Sequence, residues 1–294
     1  MLNISHKNKI TKYIVYPISG FFAYVAFYFI KLFPFKMASN FGGFLARKIG
    51  PRFKEHKLAK KNMSLAFPLK TEKEIDLMLD KMWDNIGRVF LEFPSLDYLD
   101  THPQNVKYIG DEPKNNKPRI YISAHYGNWE VISYVGHILK KDLGFVFRPP
   151  NNPYVRDLVN KRAKNYGQEP IEKGVLGMKT IVNFLKNKKD VAMLVDQRLM
   201  EGVKVDFFGR KAMATPAVAR LALKYDAEVF SIFVKRENKH NFDVSSKRID
   251  TDNIIGDNLD DKVLELTQKI TKSVEDEITK NPEQWFWVHN RWKM

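Results

Sequence analysis

Apolar residues near the N-terminus form one continuous run without a charge. The run extends from Tyr13 to Ile30, is rich in aromatic side chains and has lysines on both sides. Its length corresponds to about 27 Å of helix, enough to cross or deeply enter the hydrocarbon core of a bilayer. We therefore expect residues 1–34 to be a membrane anchor, either a single span or an interfacial helix. A buried core helix is the alternative interpretation.

Helical periodicity dominates residues 35–100. The segments Phe35–Ile49 and Lys54–Ala66 each have the length and pattern of one helix, and Thr71-Glu-Lys-Glu74 has the sequence of a capping box. Apolar residues then recur at helical spacing from Ile75 to Phe90. The pattern predicts helices that pack over the rest of the domain or lie against the bilayer.

From residue 106 to the end, short apolar runs alternate with amphipathic segments. The predicted strands are Lys107–Gly110, Arg119–Ser123, Leu143–Phe147, Val191–Val195, Val203–Phe207, Glu228–Val234 and Phe242–Ser245. The predicted helices are Trp129–Lys140, Pro153–Tyr166, Leu176–Asn187, Pro216–Tyr225 and Asp260–Lys280. This alternation predicts an α/β fold, with a sheet flanked by helices. We expect a mixed sheet, because the fourth and fifth strands are joined too closely for a helical crossover.

Composition narrows the chemistry. The 294 residues include no cysteine, so disulfides, thiolate metal ligands and a cysteine-linked acyl intermediate are excluded. The sequence also lacks a GxSxG nucleophile motif. The formal net charge of +15 predicts an anionic partner: a nucleic acid, a phosphorylated glycolipid, an acidic carrier protein or a membrane surface.

A histidine and a carboxylate follow the predicted strand Arg119–Ser123. His125 and Glu130 are five residues apart and would point away from each other on one regular helix, so a strand-to-helix turn is needed to bring them together. Asn128 fits the N-cap of the helix that follows. A neutral imidazole can accept a proton, a carboxylate on its other nitrogen can fix its tautomer, and helix-start N–H groups can face an oxyanion. A surface histidine beside an N-terminal-turn glutamate is the alternative.

Two further charged residues lie where a site is expected. Arg162 falls in the middle of the apolar stripe of the predicted helix Pro153–Tyr166, so its guanidinium needs an anionic partner. That partner is either a carboxylate such as Asp196 or a charged group of the substrate. Asp196 directly follows an apolar strand, at the end where α/β proteins bind ligands.

Six motifs, in this order, resemble the lipid A biosynthesis acyltransferase family over nearly the whole chain. They are AHYGNWE at 124–130, FRPPNNP at 147–153, KGVLGMK at 173–179, LVDQR at 194–198, VDFFGRKAMATP at 205–216 and NPEQWFWVHNRWK at 281–293. One motif alone is weak evidence, but their common order is specific. The continuation after Asp196 departs from the commoner DQD or DHD type, which leaves the role of Arg198 open.

The resemblance implies a glycerolipid-acyltransferase-like fold and transfer of a fatty acyl chain from acyl carrier protein to a hydroxyl of a lipid A precursor. His125 would be the general base and Glu130 would orient it, while Arg162 and Asp196 would be supporting residues near the site. Arg148 and Asn128 would bind substrate or support the architecture. The family needs no metal or other cofactor. The expected partners are acyl carrier protein, a phosphorylated glycolipid and membrane lipid, at the cytoplasmic face of a bacterial inner membrane.

Three other functions compete with this one. An acyltransferase that modifies another glycolipid, such as a phosphoinositol mannoside, is a close variant. A non-enzymatic basic protein could bind membranes or nucleic acid, although no nucleic-acid-binding module is evident and we expect no nucleic-acid partner. A metal hydrolase built on His125, Glu130 and Asp196 would need a denser set of histidines.

Overall fold

The structure, a computed structural model, describes residues 10–111, 115–138 and 142–292. The first nine residues of the expected anchor and the last two of the expected helix Trp129–Lys140 lie outside the described residues. The helices are α1 Tyr16–Lys31, α2 Phe35–Ile49, α3 Lys54–Ala66, α4 Glu72–Glu92, α5 Tyr98–Thr101, α6 Val131–Ile138, α7 Pro153–Asn165, α8 Val175–Lys186, α9 Ala217–Tyr225 and α10 Leu259–Lys280. The strands are β1 Val106–Gly110, β2 Arg119–Ser123, β3 Leu143–Phe147, β4 Glu169–Glu172, β5 Asp190–Leu194, β6 Val203–Phe207, β7 Arg210–Ala214, β8 Glu228–Asn238 and β9 Asn241–Ile249.

Seven of these strands form one sheet flanked by helices. Their order is β1-β9-β8-β2-β5-β3-β4, and β2, β3, β4, β5 and β8 all run in the same direction. The hairpin between β8 and β9 reverses the direction, so β9 and its parallel neighbour β1 run the opposite way. The predicted mixed α/β sheet is therefore confirmed.

The mixed character of the sheet does not arise between the fourth and fifth predicted strands, as was expected. Strands β5 and β6 do not pair, because β6 forms a separate two-stranded hairpin with β7. The turn of that hairpin is Phe208-Gly209, where both residues have positive φ angles of 51° and 66°. Such a turn matches the twist of two antiparallel strands and normally uses Asn-Gly or Asp-Gly. Because Phe-Gly is an unusual pair for it, β7 was not predicted.

Helix α1 belongs to the one candidate membrane span among the described residues. Together with the preceding turn of π-helix it covers Thr11–Lys31, which is long and apolar enough to cross a bilayer and is almost entirely unburied. Helix α2 follows after three residues and packs closely on α4. A Cβ atom on Gly42 would lie 2.3 Å from the backbone oxygen of Gly87, so these helices need glycine at their crossing.

A buried ion pair joins the helical part of the chain to the α/β part. Glu92, at the end of α4, is fully buried and accepts two hydrogen bonds from the guanidinium of Arg236 on β8, at 2.7 and 2.8 Å. Ser39 and Asn128 each donate a further hydrogen bond of 2.6 Å to the same carboxylate. Four donor groups from three separate segments therefore compensate the buried charge.

Replacing Arg236 by methionine should destabilise the fold by about 3–5 kcal/mol, because it leaves the Glu92 carboxylate buried without its cation. A matched control is Arg220→Met, which breaks an ion pair with Asp260 that is mostly exposed and should cost about 0–1 kcal/mol. Chemical denaturation of the two variants and the parent measures both values. Equal midpoints for the two variants would contradict the role of the buried pair.

Candidate active site

His125 and Asp196 occupy matching positions beyond two neighbouring strands. Strands β2 and β5 are parallel, and Ser123 is the register partner of Leu194. Each candidate residue lies two positions further along its own strand direction, at the carboxyl edge of the sheet. The backbone N–H of Val195 also donates to the carbonyl of Ser123 at 2.9 Å, which extends the pairing towards the site.

The carboxylate that holds His125 is Asp196. Its Oδ1 lies 2.9 Å from Nδ1 of the imidazole, and its Oδ2 accepts the backbone N–H of the same histidine at 2.9 Å. The expectation that Glu130 orients the ring through its other nitrogen is therefore corrected. The parallel register of β2 and β5 places Asp196 beside the ring, whereas Glu130 lies at the start of the next helix.

Glu130 is bonded to Arg162 instead. Nη1 of Arg162 donates to Oε2 of Glu130 at 2.7 Å, and the indole N–H of Trp129 donates to Oε1 at 3.0 Å. The guanidinium lies over the ring of Phe93, 4.3 Å from its centroid. The structure thus bears out the need of Arg162 for a carboxylate but corrects the partner suggested for it, which is Glu130 and not Asp196.

Replacing Arg162 by leucine should destabilise the protein by about 1–3 kcal/mol, because it leaves the Glu130 carboxylate without its ion-pair partner. The value stays below that of a fully buried pair, since about a quarter of the Glu130 side chain is exposed. The control is Lys161→Leu on the same helix, where 64% of the side chain is exposed and the effect on stability should be much smaller. Thermal unfolding of both variants makes the comparison, and equal melting temperatures would contradict it.

The C-terminal segment forms hydrogen bonds with the residues of the site. Trp285 is fully buried and donates its indole N–H to Oδ2 of Asp196 at 2.8 Å. The N–H of Phe286 donates to the carbonyl of His125 at 3.0 Å, and that of Gly127 donates to the carbonyl of Gln284 at 2.9 Å. A segment so rich in tryptophan could either dock on a membrane or complete the core. The structure shows that Trp285 finishes the core and belongs to the site.

Two aromatic rings border the imidazole. The ring of Trp129 lies 5.3 Å from that of His125, and the ring of Phe286 lies 5.9 Å from it. About one fifth of the His125 side chain remains exposed between them. The imidazole is therefore held in an apolar setting but is still accessible to a substrate.

Burial and the neighbouring charge shift the pKa values of His125 and Asp196 in opposite directions. Burial disfavours the imidazolium, but the charge of Asp196, its hydrogen bond and the more distant Glu130 outweigh burial and raise the pKa of His125. Burial also disfavours the carboxylate, yet the attraction and hydrogen bond of His125 lower the pKa of Asp196 well below its usual range. An ionised Asp196 only accepts hydrogen bonds, so Nδ1 carries the proton and Nε2 of the neutral ring has a free electron pair.

Asn128 holds the turn and does not point at the site. It is completely buried, its amide donates to Glu92, and its Oδ1 accepts the backbone N–H of Glu130 at 3.1 Å. Its side chain thus links the turn after β2 to α4. Arg148, by contrast, is exposed just beyond β3 at the same edge of the sheet, and within the described residues no hydrogen bond joins it to His125 or Asp196.

Most backbone N–H groups of the turn after β2 already donate hydrogen bonds within the fold. The N–H groups of His125, Tyr126 and Gly127 donate to Asp196, to Ala124 and to the C-terminal segment. These three cannot stabilise an oxyanion without first breaking a bond of the fold. Asn128 and Trp129 supply the remaining candidate amides of the turn.

Two aromatic residues near the site differ in their surroundings. Trp129 borders the imidazole, but Phe207 is fully buried and packs against Trp285, 5.6 Å away, as part of the core. Among residues 10–111, 115–138 and 142–292, no group of three or more histidine, aspartate or glutamate side chains is arranged to hold a metal ion. The site is therefore an imidazole–carboxylate pair with an adjacent glutamate–arginine pair.

Comparison with known proteins gives a consistent match. The model of the family described as bacterial lipid A biosynthesis acyltransferase matches residues 5–294. A curated relative, the lipid A biosynthesis acyltransferase of Haemophilus influenzae, is 20% identical over 265 residues, which cover 87% of this chain and 81% of that protein. The match includes every residue of the site described above.

Proposed function

The chain belongs to the bacterial lipid A biosynthesis acyltransferase family, and from this premise we propose that it transfers a fatty acyl chain from the thioester of acyl carrier protein to a hydroxyl of a lipid A precursor. We place this step among the late acylations of lipopolysaccharide biosynthesis. The observation that carries the proposal is the hydrogen bond between His125 and Asp196 at the carboxyl edge of the sheet, in a chain that matches the family from end to end.

In the proposed mechanism Nε2 of His125 is the general base. It takes the proton of the acceptor hydroxyl as the oxygen attacks the thioester carbonyl carbon, and Asp196 stabilises the imidazolium that forms. The tetrahedral intermediate then expels the thiolate, which receives the proton from Nε2. The carbon–sulfur bond is replaced by a carbon–oxygen bond, and the imidazole ends neutral. No covalent acyl-enzyme is required, in agreement with the absence of cysteine.

Glu130 and Arg162 support this base from a distance. The negative charge of Glu130 helps to raise the pKa of His125, although Asp196 has the larger influence. Arg162 fixes that charge in place through the 2.7 Å ion pair. We infer that Glu130 does not hold the ring but contributes to the electric field at the imidazole, with an effect smaller than that of Asp196.

Exposed apolar residues at the same edge of the sheet suit a lipid acceptor. Val175 and Leu176, just after β4, are each 78% exposed, and Met200, four residues after Asp196, is 76% exposed. Since β2, β4 and β5 end at one edge, these side chains lie at the same edge of the sheet as His125. We infer that acyl chains of lipid substrates enter across this apolar rim.

Charge and anchoring agree with the proposed partners. The net charge of +15 favours the phosphates of the glycolipid and the acidic surface of acyl carrier protein. The apolar helix at Thr11–Lys31 favours attachment to a membrane. We infer that this membrane is the bacterial inner membrane and that the catalytic part lies on its cytoplasmic face. We infer that residues 35–294 form the catalytic domain and that its fold is of the glycerolipid-acyltransferase type.

The test is an assay with radiolabelled acyl-acyl carrier protein and lipid A precursors of defined acylation, followed by mass spectrometry of the lipid. We expect one precursor to gain one ester-linked acyl chain. The intact mass of the protein incubated with the donor alone should stay unchanged. Release of free fatty acid without lipid acylation, or an acylated protein, would contradict the proposal.

A further inference from the structure

The apolar N-terminal helix does not extend away from the catalytic part. Its contacts with the rest of the chain are spread over its whole length, about 24 Å for 16 residues at 1.5 Å each. At the start of the helix, Nδ2 of Asn152 donates to the carbonyl of Tyr16 and to Oγ of Ser19, both at 3.0 Å, and Tyr154 packs on Gly20. In the middle, the hydroxyl of Tyr24 donates to Oδ2 of Asp157 at 2.6 Å. Towards the end, the ring centroids of Phe27 and Phe93 are 6.2 Å apart, and Nζ of Lys31 donates to Oδ2 of Asp97 at 2.9 Å. One stripe of α1 therefore lies lengthwise on the domain, mainly on α7.

Charged residues of α7 lie beside the middle of α1. Asp157 accepts the hydrogen bond of Tyr24, and Lys161 lies over the same tyrosine ring, 5.8 Å from its centroid. The side chains of Lys161 and Asp157 are 64% and 52% exposed. If α1 crossed a bilayer in this position, both charges would lie near the middle of the hydrocarbon, where charged side chains are strongly disfavoured.

The neighbouring helix α2 has an inverted distribution of side chains. Apart from Phe35 at its first position, its buried residues are small, namely Ala38, Ser39, Gly42 and Gly43. The opposite face has large apolar residues, since Met37, Phe41, Phe44 and Leu45 are between 38% and 56% exposed. These four lie within about 100° of the helix circumference. A helix with its large apolar side chains outward needs an apolar environment on that side.

Basic residues accompany this apolar face. Lys36, Lys48 and Arg52 are exposed on or directly after α2, and Lys48 lies over the ring of Phe44, 6.0 Å away. Apolar side chains flanked by lysine and arginine are the pattern of helices that lie in the surface of an anionic membrane. The three residues that join α1 to α2 are themselves apolar and exposed, so the two outward faces follow one another without a polar break.

From these observations we propose that the protein is monotopic: α1 lies in the surface of an anionic bilayer without crossing it, and the outward face of α2 lies in the same surface. Both helix faces contact the outer part of one lipid leaflet. This inference rests on the membrane attachment in the proposed function but not on the acyl-transfer chemistry. It explains how a helix with the composition of a span can also hold α7, the helix that presents Arg162 to the site.

The test uses the absence of native cysteine to label single introduced thiols in the full-length protein. Lys12→Cys precedes α1, and Ile255→Cys is an exposed control on the catalytic part. The protein is added to preformed vesicles of phosphatidylethanolamine and phosphatidylglycerol, recovered by flotation and treated with a membrane-impermeant maleimide. We expect both thiols to react before detergent is added. Reaction of Lys12→Cys only after detergent would show a span and overturn the inference.

A second measurement addresses α2. Phe44→Cys carries an environment-sensitive fluorophore, and the vesicles contain lipids with nitroxide groups on their acyl chains. We expect a blue shift and loss of emission for the label at position 44 and neither for the label at Ile255→Cys. Equal emission at both positions would overturn the role of α2, and shielding without lipid quenching would mean that a second copy of the chain covers this face. Failure of the protein to float would remove membrane attachment itself, whatever the result of the acyl-transfer assay.

Discussion

Replacing His125 by alanine should lower kcat/KM for acyl transfer by about 10²–10⁴, the usual contribution of a general base. The reason is that neither carboxylate at the site can replace it as the base: Asp196 has a strongly lowered pKa, and Glu130 is committed to Arg162. Initial rates at several acceptor concentrations should show a loss in kcat and little change in KM, because the imidazole acts in the transition state.

The control for this variant is His102→Ala. His102 is partly exposed and bonded to neighbours in its own turn, Tyr98 and Thr101. We expect it to retain parental activity, and we expect both variants to unfold within a few degrees of the parent. A His125→Ala protein that folds and keeps its rate would exclude the imidazole as the base.

Replacing Asp196 by asparagine should produce a loss of similar size, about 10²–10⁴ in kcat. Oδ2 of Asp196 accepts two fixed donors, the N–H of His125 and the indole N–H of Trp285. The asparagine oxygen is therefore held at that position, and its NH₂ group faces Nδ1 of His125. Nδ1 must then accept, so the proton moves to Nε2 and the ring can no longer act as a base.

The His125–Asp196 pair sets the pH dependence of both activity and stability. Because the pKa of His125 is raised above about 6.5, activity should increase with pH through a midpoint above that value as the base becomes neutral. Removing the charge of Asp196 should move the midpoint of the residual activity to lower pH. In stability the sign is opposite: the pair stabilises the fold below the unfolded pKa of histidine, and this contribution is lost as pH rises through the folded value.

Glu130→Gln is the comparison that separates the two carboxylates. It removes a charge near His125 but leaves the hydrogen bond to Nδ1 intact. We expect a smaller loss of rate and a smaller shift of the pH midpoint than for Asp196→Asn. Larger effects at Glu130 than at Asp196 would mean that the imidazole depends on the carboxylate of its own turn.

The sheet was largely predictable because its strands are short apolar runs between polar segments. The bounds of β2, β3 and β6 agree with those expected from the pattern. Strand β4 was missed, since Glu169-Pro-Ile-Glu172 contains one central apolar side chain at an edge of the sheet and resembles a loop. Edge strands bury little, so periodicity carries less information about them.

The set of site residues was easier to predict than its pairings. Ionisable residues near strand ends or inside an apolar stripe often belong to functional sites, and this identified His125, Glu130, Arg162 and Asp196. The pairings were exchanged, since sequence distance favoured His125 with Glu130. The register of β2 and β5 decides the matter, and register is fixed by contacts between segments about 70 residues apart.

The part played by the C-terminal segment had the weakest signal. Its cluster of tryptophans was consistent with either a membrane contact or a core. The choice depends on the short antiparallel bridge between Tyr126 and Trp285, which joins residues far apart in the chain. The family match covers this segment as well and confirms the resemblance drawn from the motifs, but the donor to Asp196 could be identified only from the fold.

The most direct test of the account is an NMR titration of the ring nitrogens of the seven histidines in the membrane-bound protein. We predict that one imidazole, assigned by its loss in His125→Ala, titrates above about 6.5, keeps its proton on Nδ1 when neutral and shifts to lower pH in Asp196→Asn. A His125 pKa that is unchanged in Asp196→Asn and lowered in Glu130→Gln would contradict the account.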